Sequence, residues 1–237
     1  MRRWQAAAGL ALLAGCSGIS ENQDGVATVE IRLPTNFYLE KNHPVLIRAV
    51  ARNASGDSVG AEFRWRSPDT TIAVDSARGL VTARADSGTA RVQAALFGRD
   101  TVVSILDSLK FTLTATADTG FTTTADSITI RFDTVATSIG FKLEGGAARL
   151  PVRGRPISFA IVDPAPADTP AVVFASGRVR DSALTGTTGV AALTIRGQRG
   201  RPIPDRAVVE INAYRASGAK VPGSGHRVVV RFLHETP

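Results

Sequence analysis

The sequence predicts an all-β protein folded as two tandem β-sandwiches. Short runs of alternating apolar and polar residues recur along the chain, and this period of two is typical of strands with one buried face. Turn-forming residues interrupt the runs about every ten positions, which favours a sandwich or a barrel. The length of 237 residues fits two small domains. We predict the boundary near residues 104 to 108, where one strand pattern closes.

Three segments show the alternation most clearly. Their apolar residues occupy every second position, so they are expected to face a core while their polar neighbours face water. These residues are Ile128, Ile130 and Phe132 in the first segment, Ile157, Phe159 and Ile161 in the second, and Val228, Val230 and Phe232 in the third.

The N-terminus is typical of an export signal. Arg2 and Arg3 precede an apolar run over residues 6–13, which is too short to span a membrane because a spanning helix needs about 20 apolar residues. The run ends in Leu13-Ala14-Gly15-Cys16, which resembles the lipobox of bacterial lipoprotein signal peptides. The resemblance implies cleavage before Cys16, a diacylglycerol on its sulfur and an acylated new amino terminus. Residues 1–15 are then the signal peptide and residues 16–25 a polar tether.

The same segment bears on the destination of the chain. The twin arginines lack the fuller motif of the Tat route, so the general secretory route is preferred. Ser17 stands where an aspartate would suggest retention in the inner membrane, so we expect outer-membrane delivery. The alternative is an ordinary export peptide with an incidental cysteine. Cys16 is the sole cysteine, which excludes disulfide frameworks and cysteine-rich zinc sites.

Five segments between residues 26 and 104 follow one another in a recognisable order. They are Asn53-Ala54-Ser55-Gly56-Asp57, Phe63-Arg64-Trp65-Arg66-Ser67, Thr71-Ile72-Ala73-Val74-Asp75, Gly79-Leu80-Val81-Thr82-Ala83 and Gly88-Thr89-Ala90-Arg91-Val92. Together they resemble bacterial Ig-like domains of the group-2 type, which implies a β-sandwich over residues 26–104. Independently, Phe63 and Trp65 share one strand face, so we expect the indole in the core. An exposed, ligand-stacking Trp65 is the alternative.

The second half, residues 105–237, carries a looser resemblance. Val152-Arg153-Gly154-Arg155-Pro156-Ile157-Ser158-Phe159 and Leu184-Thr185-Gly186-Thr187-Thr188-Gly189-Val190-Ala191 are similar to a strand and a turn of invasin-type, group-1 bacterial Ig-like domains. Gly186 stands where that family usually has aspartate, which weakens any metal role at the turn. Residues 109–145 match no known pattern and are expected to add a leading strand or hairpin. The resemblances predict two tandem Ig-like β-sandwiches after a cleaved lipoprotein signal peptide.

Residues that could carry chemistry are few. His43, His226 and His234 lie outside any nucleophile-elbow motif. Asp163 and Asp168 flank a proline-rich loop, for which calcium binding is the alternative to a plain connection. The basic stretch 196–201 contains two glycines but lacks the Gly-Lys-Ser/Thr end of a phosphate loop. We therefore expect no catalytic residue, no cofactor and no metal.

The positive charge is concentrated toward the C-terminus. Residues 145–237 carry thirteen basic and six acidic side chains, against ten and eight in residues 26–105. A solvated face is one interpretation, and a surface for an anionic glycan or another envelope protein is the other. The candidate residues share two loop-like segments: Arg149, Arg153, Arg155, Arg199, Arg201 and Arg206.

These observations predict a non-catalytic, lipid-anchored envelope protein that uses Ig-like domains for adhesion or for binding a surface glycan or protein. Its contact with the membrane is expected through lipidated Cys16, and nucleic acid is not expected as a partner because the chain is exported. Two alternatives remain open. One is a structural spacer or accessory subunit of an envelope assembly, and the other is an enzyme with a site at the interdomain cleft.

Overall fold

A computed structural model describes residues 25–32, 37–98, 101–131, 137–165, 170–198 and 204–233. These residues form strands, turns and irregular segments without a helix, which confirms the all-β prediction. Within the same ranges there is accordingly no helical segment long and apolar enough to cross a bilayer. The predicted signal peptide, residues 1–15, and Cys16 lie outside the described residues.

The described residues of the first sandwich form ten strands. They are β1 (Thr28–Arg32), β2 (Tyr38–Glu40), β3 (Val45–Leu46), β4 (Arg48–Arg52), β5 (Ser58–Val59), β6 (Glu62–Arg66), β7 (Ile72–Val74), β8 (Leu80–Ala83), β9 (Ser87–Gly98) and β10 (Thr101–Thr114). One sheet has the order β2-β10-β9-β6. The opposite layer consists of β1-β4-β5 and β3-β8-β7, which meet where β3 and β4 follow each other across Ile47.

Trp65 lies in the core of this sandwich, as predicted. Its side chain is 5% exposed and packs in the same apolar cluster as Ile47 and Val81. Gly79 lies beneath the indole with a φ of 72°, and a Cβ there would approach both the Ile47 carbonyl oxygen and the indole to 2.7 Å. Only glycine therefore allows the β7–β8 hairpin to close over the tryptophan.

In the part of the second sandwich that the structure describes there are also ten strands. They are β11 (Ala117–Thr122), β12 (Ser127–Arg131), β13 (Thr137–Gly145), β14 (Leu150–Pro151), β15 (Pro156–Asp163), β16 (Val172–Phe174), β17 (Arg180–Leu184), β18 (Val190–Gly197), β19 (Arg206–Ala213) and β20 (His226–Leu233). Its sheets have the orders β11-β13-β18-β16 and β12-β20-β19-β15-β17, with β14 paired to β13. Phe132 lies outside the described residues. The other alternating residues that were predicted to face a core do so: Ile128, Ile130, Ile157, Phe159, Ile161, Val228, Val230 and Phe232.

Both sandwiches have an Ig-like arrangement. In each, the first two strands join opposite sheets, and the second runs parallel to the last strand, β2 beside β10 and β12 beside β20. Every other described pairing between the named strands is antiparallel. Two packed antiparallel sheets with this crossover pattern are typical of the immunoglobulin fold.

The domain boundary differs from the one that the sequence predicted. The expected break at residues 104–108 falls inside β10, which continues through Thr114 as the last strand of the first sandwich. A register shift in the pairing of β9 with β10, between Val102 and Leu106, interrupts the alternation there and imitates a strand end. Residues 109–114 therefore belong to the first sandwich, and Ala115 already packs in the second core.

Candidate functional site

The contact between the two sandwiches centres on a buried charged pair. Glu40 ends β2 and is 5% exposed, and its Oε2 lies 3.4 Å from Nε of Arg155 in the second sandwich. The backbone N–H of Ala216 donates to the same oxygen at 3.2 Å, and Nη2 of Arg155 donates to the carbonyl of Tyr214 at 2.9 Å. The Nε–Oε2 contact lacks hydrogen-bond geometry, so it acts mainly through charge.

Further contacts extend this interdomain joint, which we define as Tyr38, Glu40 and Thr114 with the segments around Arg155 and Ala216. Thr114 is buried, and its hydroxyl oxygen accepts a hydrogen bond from the backbone N–H of Arg153 at 2.9 Å. The Tyr38 ring lies so close to Gly154 that a Cβ there would collide with it. The two apolar cores share no residue, so the joint is largely polar.

The joint explains the local sequence around Arg155. Gly154 has a φ of 68°, which a residue with a side chain rarely adopts. Thr185, also buried, accepts from the N–H of Gly154 through its carbonyl and from the N–H of Arg155 through its hydroxyl. These bonds fix the turn before β15 and aim the arginine at Glu40.

The six arginines predicted as an anionic-ligand surface are not brought together. Arg155 is used by the joint, and Arg153 beside it donates from Nε to the Thr187 carbonyl at 3.1 Å. Arg149 is exposed in the turn after β13. Arg206 pairs with Asp163 at 3.2 Å at the far end of β15. The eight residues of β15 separate this ion pair from Arg155 by about 27 Å. Arg199 and Arg201 lie outside the described residues.

The histidines and the proposed calcium ligands have ordinary surroundings. Nε2 of His226 lies 2.9 Å from Oδ1 of Asp126, and His43 is in the turn after β2, where its N–H donates to the Glu40 carbonyl. His234 and Asp168 lie outside the described residues. In the described ranges, no three histidine, cysteine or acidic residues are grouped so as to hold a metal ion.

Among the described residues, three carboxyl groups have a lowered pKa, each because it accepts hydrogen bonds. The pKa of Asp75 is lowered by the backbone N–H groups of Arg78 and Ala77, and that of Asp181 by the Ser176 hydroxyl and the Ser182 N–H. The amide of Asn212, followed by Arg227, lowers the pKa of Glu210. A general acid working at neutral pH needs a raised pKa instead, so these groups stabilise turns and strand pairs.

Some exposed apolar side chains remain on the surface. Leu46 and Leu80 are opposite neighbours on β3 and β8 and are 48% and 36% exposed. Leu184 is 59% exposed at the end of β17, an edge strand. Accessible edges and apolar pairs of this kind favour contact with a partner over a purely solvated surface.

The role of Glu40 was missed at the sequence level. It follows Tyr38-Leu39 in a run without conspicuous alternation, and nothing local marks a carboxylate for burial. The local signal was Gly154, since a glycine next to a strand can mark a site where another part of the chain approaches closely.

Comparison with known proteins gave neighbours among solved structures only. No protein-family model matches the sequence, and no curated protein matches it. The structure is similar to the adhesin InvE of Yersinia pseudotuberculosis, with a TM-score of 0.41, 15% identity and coverage of 87% of this chain and 58% of that one. It is also similar to fibronectin(III)-like modules of Clostridium thermocellum CbhA, with a TM-score of 0.38, 13% identity and coverage of 89% and 99%. It is similar as well to the D00-D0 domain of intimin, with a TM-score of 0.32, 15% identity and coverage of 87% of this chain and 100% of that one.

Proposed function

We propose that this chain is a non-catalytic, lipid-anchored protein of the bacterial cell envelope. Its Ig-like sandwiches serve adhesion or the binding of a surface glycan or protein. The sequence Leu13-Ala14-Gly15-Cys16 supports a lipid anchor, and Ser17 supports outer-membrane delivery.

The interdomain joint is the observation that carries this proposal. A chain tethered before residue 26 by a short polar segment would display whatever lies on its two sandwiches. Because Glu40 and Arg155 meet in a buried contact, the second sandwich is held in a defined relation to the first. The anchor thus presents an oriented pair of domains rather than two modules on a flexible string.

Metabolic labelling with palmitate tests the anchor. The wild-type chain should incorporate label and fractionate with membranes, whereas Cys16→Ala should do neither. Ser17→Ala is the matched control, since it alters the neighbouring residue and leaves the acceptor sulfur in place. Equal labelling of wild type and Cys16→Ala would refute lipidation.

Adhesion can be tested with the mature chain on beads. Beads that carry it should bind isolated envelopes above the level of beads carrying an unrelated β-sandwich of similar charge. The exposed Leu46–Leu80 pair and the Leu184 edge favour this binding role. Equal binding of both kinds of bead would refute it.

A structural spacer or an accessory subunit of an envelope assembly is the second candidate. The joint favours it as well, because a spacer must keep its domains aligned. A spacer requires the joint but no ligand. Under that function, a joint variant would impair the assembly in cells while the beads show no specific binding.

A further inference from the structure

The outer face of the β2-β10-β9-β6 sheet carries a group of cations that the sequence did not reveal. Alternate residues of these strands point into the core, including Trp65, Val92 and Phe111. Their neighbours in sequence point outward, and away from the joint no other described strand pairs with this sheet or packs over this face. Four outward residues, which we call the cationic face, are positively charged: Arg64, Arg66, Arg91 and Lys110.

Two of these charges oppose each other directly. Arg91 of β9 and Lys110 of β10 are cross-strand partners in register, and both are exposed. Like charges directly opposite on a sheet are destabilising. A chain selected for stability alone would have an acid at one of the two positions.

Acids are few beside these four residues in the described part of the chain. None of them belongs to an ion pair among the described residues. Arg66 donates to the amide oxygen of Gln93 at 3.0 Å, and the Arg64 guanidinium lies 4.2 Å from the centre of the Phe97 ring. Two acids lie at the β6 edge, Glu62 and Asp69, and the latter accepts from the Arg91 backbone N–H. The four cations thus outnumber the acids beside them.

The residues between the cations are suited to a hydroxyl-rich ligand. Gln93 and Ser108 lie in register beside Arg66, and Thr89 and Thr112 form the row on the other side of the Arg91–Lys110 pair, toward the joint. These side chains donate and accept hydrogen bonds. The strongly exposed large apolar residues of the described chain lie off this face, and the half-buried Phe97 ring lies beneath the Arg64 guanidinium. A protein interface or a membrane contact would need such an apolar anchor.

From this arrangement we infer that the cationic face binds a linear anionic polysaccharide, with Arg64, Arg66, Arg91 and Lys110 contacting its carboxylate or phosphate groups. The inference rests on the proposed envelope function and names its ligand class. The cations extend over about 14 Å along the strands and about 10 Å across them, so an extended chain can engage several at once.

Binding of polygalacturonate to the purified mature chain tests this inference, with neutral dextran as the uncharged control. The wild type should bind polygalacturonate at low salt, more weakly as salt rises, and should not bind dextran. Arg91→Gln/Lys110→Gln should bind about tenfold more weakly, as expected for two exposed charge contacts. Arg48→Gln/Arg84→Gln is the matched control, because it removes two exposed cations of the same sandwich away from this face.

Several outcomes would overturn the inference. One is undiminished binding by Arg91→Gln/Lys110→Gln, and another is an equal loss in the control, which would mean that net charge alone attracts the polymer. Binding of phosphatidylglycerol vesicles or polyaspartate without polygalacturonate would assign the face to a membrane or an acidic protein. The palmitate experiment is independent of all these results, so failure here leaves the anchored envelope function standing.

Discussion

Glu40→Gln should uncouple the two sandwiches. The substitution keeps the size and one acceptor oxygen, so it opens no cavity and the Ala216 N–H keeps a partner. It leaves the Arg155 guanidinium, whose side chain is 18% exposed, without its opposing charge. Removing one member of a buried pair costs about 3 to 5 kcal/mol. Because Arg155 keeps some solvent and its bond to Tyr214, we expect about 2 to 3 kcal/mol here.

Urea unfolding of the mature chain measures this loss. Trp65 is the sole tryptophan of a chain that begins at residue 16, so fluorescence reports the first sandwich and circular dichroism reports both. The wild type should show coincident transitions. In Glu40→Gln the fluorescence midpoint should fall by about 1 M urea, given a slope of about 2 to 3 kcal/mol per M, and the two probes should separate.

Glu62→Gln is the control for this experiment. It makes the same change at an exposed residue of the same sheet, and its effect should stay within about 0.5 kcal/mol. Arg155→Gln should match Glu40→Gln, and the double variant should cost less than the sum of the two. Our account of the joint would be refuted if Glu40→Gln behaved like Glu62→Gln and both probes stayed coincident.

Three further predictions concern the folded state. Trp65→Ala should cost about 3 to 5 kcal/mol in urea unfolding, and a stable variant that lost ligand binding would instead make the indole a contact residue. Gly79→Ala should cost at least about 2 kcal/mol more than Gly56→Ala. Both glycines have a positive φ, but a Cβ at Gly79 would collide with Trp65 whereas a Cβ at Gly56 meets nothing within 4 Å. Equal urea midpoints for the two variants would contradict this packing. The pKa values of Asp181 and Glu210 lie below their ordinary values of 3.8 and 4.5. The stability that these carboxylates contribute is therefore complete at pH values above 3.8 and 4.5, and it is lost as the pH falls through their lower pKa values in the folded state. Asp181→Asn should therefore flatten the acid side of the stability profile, and an unchanged profile would show that Asp181 contributes nothing.

The sequence predicted what depends on local patterning. Alternation located the buried residues of β15 and β20, and the spacing of Trp65 from Phe63 was enough to assign the indole to a core. Local patterning failed at β10, because a register shift inside a long strand has the same appearance as a strand end. It also failed for Arg155, whose role depends on a carboxylate from the other sandwich. The total charge of a segment could not distinguish an arginine held in a joint from one exposed on a sheet.

The joint and the cationic face lie on the same sheet surface, and the joint supports the inference about the face. Outward positions of β2 and β10 near the joint hold Glu40 and Thr114, and there the chain provides Arg155 and the Arg153 N–H as partners. Four residues before Thr114, the outward position is Lys110, opposite Arg91, and neither side chain forms an ion pair among the described residues, while Asp69 is bound to the Arg91 backbone N–H. Where this surface is closed, the protein neutralises its charge internally. Where it is open, the like charges remain, and an anionic ligand is the partner that would relieve their repulsion.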